Sequence, residues 1–170
     1  SGDASVQPGG VVSGNGAVED RARIESRAVV TNSAKVYERA RVGDDACVGG
    51  NAKVFGEAFI GGNASILDAW VGDTATVIGH AEVCHSAHVF GNATVSENAV
   101  VMEQAQVGGS ATIDGHAMVT DTARVIERAQ VGLNARVAGT TRVGGDAVLN
   151  EGRFTSGIYQ RGPVASQSSR

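Results

Sequence analysis

The sequence predicts an all-β chain coiled into a three-sided parallel β-helix, and three observations carry that expectation. A small residue followed two positions later by Val or Ile recurs every six residues, as in Ala22-Arg23-Ile24, Ala28-Val29-Val30, Ala34-Lys35-Val36 and Ala40-Arg41-Val42. The positions between these triplets favour Gly, Asn, Asp, Glu, His and Arg, as in Gly49-Gly50-Asn51 and Gly91-Asn92. Aromatic residues make up only 4% of the chain while Gly occurs 24 times, so the interior must be narrow and filled by small side chains. A short fixed period of this kind marks a solenoid.

The aliphatic column runs Val6, Val12, Val18, Ile24, Val30, Val36, Val42, Val48, Val54, Ile60, Ile66, then slips by one residue. It resumes as Val71, Val77, Val83, Val89, Val95, Val101, Val107, Ile113, Val119, Val125, Val131, Val137, Val143, Leu149, so eleven hexads and fourteen more make twenty-five. Residues two apart on an extended strand point the same way, which sends the small and the aliphatic residue inward together and their neighbours outward. The Gly- and Asn-rich positions supply corners, because these residues tolerate the positive φ of a tight turn. Each hexad is one short strand and one corner. Three hexads close a triangular coil, and roughly eight coils stacked about 4.8 Å apart give a prism on the order of 40 Å long. One corner residue is missing at Ile66-Leu67-Asp68-Ala69-Trp70-Val71, which should kink or tighten that coil and reads as a tolerated deletion rather than a functional notch.

On these residues the chain resembles the hexapeptide-repeat proteins over about residues 4 to 152. The resemblance implies a left-handed parallel β-helix, against the right-handed rule for ordinary parallel crossovers. Residues 153 to 170 leave the repeat and form a C-terminal tail. Phe154, Ile158, Tyr159 and Val164 could dock it on the prism or cap the open edge, while the stretch after Pro163 is rich in Ser and Gln and reads as a disordered end.

Every third hexad falls on one side, giving three faces. The first, around Ile24, Val42, Ile60, Val77, Val95, Ile113 and Val131, is mostly polar or small outside and stacks Thr76, Thr94 and Thr112. An ice-binding surface needs a second threonine column, and here that column reads Ile78, Ser96, Asp114. The second face carries Val11, Val29, Cys47, Leu67, Cys84, Val100, Met102 and Met118 outward. A contiguous apolar face argues for a partner, so it is expected to meet another subunit or the tail. The third face sets a basic column, Lys35, Lys53, His88, Arg124 and Arg142, interrupted by Trp70, beside Tyr37, Phe55 and Phe90. The narrow interior has no room for these rings, so they stand outside. Rings among cations suit recognition of protein, glycan or anionic groups, unless they serve only to cover one another and the Lys and Arg stems.

A net charge of −4 with mixed signs argues against nucleic acid as a partner, and no apolar run is long enough for membrane insertion. The start, Ser1-Gly2-Asp3, has no initiator Met or signal pattern and reads as a fragment, which hides the compartment. Cys47 and Cys84 lie two coils apart, roughly 10 Å, beyond disulfide reach, and are expected to be free thiols in a structural role.

The hexapeptide-repeat resemblance raises two enzyme classes. The γ-class carbonic anhydrases hold zinc with three histidines across a trimer interface. His80 and His116 lie thirty-six residues apart, two coils on one corner column, which is similar to part of that spacing. The histidine wanted five residues later is Asp121 here, whereas His85 follows His80 by five. These three histidines are weak metal candidates, and no metal or other cofactor is expected. The acyltransferases of the superfamily usually add a protruding loop and a C-terminal helical segment. No insertion interrupts Ala4 to Gly152, so a histidine such as His85 or His88 lacks walls to position an acyl donor. The expected function is a non-catalytic scaffold, oligomerisation or interaction module of a larger protein. The alternatives are an acyltransferase-like or carbonic-anhydrase-like enzyme with its site at a trimer interface, and a binding module using Lys35, Tyr37, Lys53, Phe55, Trp70, His88, Phe90 and Arg124.

Overall fold

The structure, a computed structural model, describes residues 3–161. Twenty-seven strands of two to four residues build three parallel sheets of nine strands each, and no helix occurs among the described residues. In each sheet every third strand is a neighbour, so the chain visits the three sides in turn and returns one coil higher. The first sheet runs from Ser5–Val6 to Val148–Leu149, the second from Val11–Val12 to Arg153–Phe154, the third from Ala17–Val18 to Ile158–Arg161.

The inward pair of each hexad forms the core. From Ala22 to Val137 every inward Ala, Val and Ile is essentially inaccessible to water. Backbone N–H groups pair between coils, as where Arg23 N donates to Ala40 O and Glu25 N to Val42 O, 2.9 and 2.8 Å. One polar residue, Thr141, takes an inward small-residue place; its hydroxyl donates to Ala138 O at 2.8 Å, which removes the cost of burying it.

Two expectations change at the upper end. The coils number about nine rather than eight, because residues beyond 152 continue the winding at an altered period. Phe154 pairs with Val137 and Tyr159 with Val143. The interior also admits aromatics at this one place. Both rings take inward register positions, pack on the core and meet edge to face at 4.9 Å. Among the described residues no coil follows the one that carries them, so the rings here are not confined by the narrow section of the shaft. Val164 and the Ser-rich end lie outside the described residues.

At the slip the coil tightens without breaking the sheets. Asp68 alone makes the turn at φ 54°, and its carboxylate accepts from Asn51 N at 2.7 Å. Register passes through intact, Phe59 pairing with Thr76 on one sheet and Lys53 with Trp70 on another.

The corners hold a device that the residue pattern does not announce. Many left-handed corner positions are acidic, including Asp20, Glu38, Asp44, Asp73, Glu97, Glu103, Asp121 and Glu127, with φ between 56° and 64°. A side chain there is strained. Each carboxylate reaches the corner N–H one coil on: Glu38 N donates to Asp20 at 3.2 Å, Gly56 N to Glu38 at 2.7 Å, Asp121 N to Glu103 at 2.7 Å and Gly139 N to Asp121 at 2.6 Å. A charged acceptor makes these bonds stronger than neutral ones and offsets the strain.

Candidate functional site

The third sheet places the predicted basic and aromatic residues in two parallel columns. Lys35, Lys53, Trp70, His88, Gln106, Arg124 and Arg142 follow one another through successive strand pairs. Tyr37 stacks on Phe55 at 5.4 Å and 12°, Trp70 on His88 at 4.8 Å and 14°, and Lys53 Nζ sits 4.6 Å from the Trp70 ring centre. Phe55 lies where a Cβ on Gly72 would fall, and Phe90 lies likewise over Gly108. A large ring on one coil is thus seated on the bare backbone of the next.

These contacts use much of the ring surface within the chain. Trp70 and Phe90 still expose 43% and 38% of their area. Glu19, Lys35, Tyr37 and Lys53 line a depression of about 230 Å³ open to solvent. Burial first, then Glu38, pushes the Tyr37 hydroxyl up from its ordinary pKa, so it remains a neutral donor. Arg124 stands two coils above His88 and belongs to the column without touching the stacks named above.

The second sheet carries the apolar strip. Val11, Val29 and Cys47 succeed one another on one side of the inward column, and Leu67 and Cys84 pair on the other. Val100 pairs with Met118 further up. Leu67 is 44% exposed, while Val29, both cysteines, Val100, Met102 and Met118 are half-buried by neighbours on adjacent coils. Both thiols are free, and burial followed by Glu82 and Glu103 pushes the Cys84 thiol up, away from a reactive thiolate.

The four histidines are separated. His80 and His116 occupy exposed corners between the first and second sheets, their N–H groups bonding Glu97 O and Leu133 O, each at 2.6 Å. His85 makes a corner between the second and third sheets at φ 60°, and His88 is held in its stack. Among the described residues no three His, Cys, Asp or Glu side chains converge as a metal site would require.

One cluster escaped the sequence reading, which treated the first face as mostly polar or small. Arg21, Arg23, Arg39 and Arg41 together line a depression of about 260 Å³. Its signal was present as Arg21-Ala22-Arg23 and Arg39-Ala40-Arg41, the same triplet one coil apart.

With this geometry in place, the fold can be set beside known proteins. No protein family's sequence pattern matches the chain, and no curated protein matches it. Among solved structures, the UDP-N-acetylglucosamine acyltransferase of Francisella novicida matches 85% of this chain at a TM-score of 0.65 and 15% identity. The chain spans 62% of that protein's length. The UDP-N-acetylglucosamine acyltransferase of Campylobacter jejuni matches at a TM-score of 0.42 and 17% identity, covering 85% of this chain and 69% of that one. What the Francisella likeness establishes is a shared architecture: this chain is a three-sheet parallel β-solenoid, and that protein has the same fold.

Proposed function

We propose that this chain is a self-associating solenoid module whose working surface forms where two copies meet along the second sheet. The observation that carries it is the apolar strip flanking the inward column of this sheet, with Val11, Val29, Val100 and Met118 on one side, interrupted by Glu82, and Leu67, Cys84 and Met102 on the other. Burying such a strip against its own kind removes apolar area from water on both partners at once. Light scattering on the purified chain tests this. The expected result is an oligomer that Leu67→Lys with Met102→Lys converts to monomer; a wild-type chain monomeric at high concentration overturns it.

A second reading is acyl transfer at the junction between copies, and the likeness to a solved acyltransferase favours it over a purely passive scaffold. In one copy His85 is exposed at a corner and His88 is stacked on Trp70. A neighbouring copy would have to supply the walls. Acetyl-CoA added to the oligomer should then raise the melting temperature, since a ligand stabilises the state that binds it. No rise with the oligomer intact leaves the scaffold reading alone. For the third face we assign shielding of the strands as the main role of Tyr37 and Phe55, with recognition confined to the exposed surfaces of Trp70 and Phe90.

A further inference from the structure

Parallel coils stack like residues directly above like, and where those residues are cations the arrangement is unfavourable unless something neutralises them. Arg23 and Arg41 are such a pair, on strands Arg23–Ile24 and Arg41–Val42. Arg21 and Arg39 repeat the juxtaposition at the adjoining corner, where Arg21 N bonds Glu38 O and Arg39 N bonds Gly56 O. All four side chains are exposed and share one depression.

The acidic residues next to them in sequence do not fill the neutralising role. The carboxylates of Asp20 and Glu38 are turned to the corner N–H groups of Glu38 and Gly56. Arg39 meets Glu57 at 3.0 Å and Arg41 approaches Glu25 at 3.7 Å while lying 5.2 Å from the Phe59 ring centre. Arg21 and Arg23 have no carboxylate within ion-pair distance among the described residues. Elsewhere the same rod pairs its corner arginines closely, Arg27 with Asp45 at 2.7 Å and Arg128 with Asp146 at 2.6 Å. Arg39 follows that pattern through Glu57, so the departure lies in Arg21 and Arg23, two guanidinium groups left without a carboxylate beside Arg39 and Arg41 on a chain that is negative overall.

We propose that this depression is an oxyanion site that takes a ligand bearing phosphoryl groups. Guanidinium forks match the oxygens of a phosphoryl group with paired N–H donors, and two forks one coil apart suit a group offering several oxygens. The site is independent of the self-association strip, since it lies on a different sheet.

Calorimetric titration of the intact chain with inorganic pyrophosphate at low ionic strength tests the site. Saturable binding that weakens as salt rises is expected. Arg23→Gln with Arg41→Gln should raise the Kd by about tenfold or more, whereas Arg27→Gln with Arg128→Gln, an equal charge change at ion-paired corners outside the depression, should leave it unchanged. Arg21→Gln with Arg39→Gln provides a second pair, and circular dichroism confirms that each variant folds. Absence of saturable binding to wild type, or equal weakening by Arg27→Gln with Arg128→Gln, overturns the proposal. Co-sedimentation with phosphatidylcholine vesicles containing phosphatidic acid identifies the source. Sedimentation lost in Arg23→Gln with Arg41→Gln assigns a lipid headgroup, and pyrophosphate binding without sedimentation assigns a soluble ligand.

Discussion

The two ends of the rod treat the same problem differently. At the upper end Leu149, Phe154 and Tyr159 stand in the three inward columns, and the two rings fold over the last valines. In the lowest described coil the same columns hold Val6 and Val12, 47% and 36% exposed, with Val18 half-buried. Inward orientation is therefore a local property of the strand, but complete burial is not: the inward valines and isoleucines that water does not reach have coils on both sides of them. In a solenoid stability is close to a sum over coils and their nearest-neighbour interfaces, so position along the rod sets the cost of a substitution as much as residue type does.

The largest effect should come from the middle, where both interfaces are present. Ile60→Ala is expected to lower stability by about 3 kcal/mol in urea unfolding, the transfer loss and the cavity adding together. A loss no greater than that of an end coil would break the contrast. Phe154→Ala should cost about 2 kcal/mol, less than for a fully enclosed ring because it is only partly buried, and hydrogen exchange should quicken at Val148 and Arg153 before lower coils respond. Val12→Ala should cost less than about 0.5 kcal/mol, as a surface change does. A larger loss there would show that something covers the lower coil in solution.

The smallest predicted effect sharpens the same contrast at a mid-rod position on an outward column. Burial and then Glu97 push the Asp114 carboxyl up from its ordinary value. A carboxyl whose folded pKa is raised binds its proton more tightly folded than unfolded, so stability declines as pH rises through the ordinary carboxylate range and just above it. Asp114→Asn should abolish that decline, raising the melting temperature slightly at neutral pH and leaving it unaltered in acid. An equal shift at both pH values would assign the gain to something other than charge.

The inward columns were legible because each coil repeats the same requirement. Ala22, Ile24 and their counterparts fill one narrow section twenty-odd times over, and a slip of one residue at Asp68 stands out against that regularity. The three faces followed from counting hexads. What the period could not supply were contacts that depend on the coil above or below: Phe55 seated on Gly72, Lys53 over Trp70, the gathering of four arginines. Phe154 and Tyr159 were hidden for another reason, since they reach the inward columns only through an altered spacing.

The corner carboxylates have a consequence for how such a rod can change in length. Asp20 serves Glu38, which serves Gly56, so each link joins residues eighteen apart rather than neighbours in sequence. Excising an arbitrary stretch would sever these links and throw the inward columns out of phase together. Removing or duplicating one whole coil would leave donors facing acceptors throughout. The rod is thus editable in steps of a single coil, and its length is a quantity that gene rearrangement could adjust without redesigning the corners.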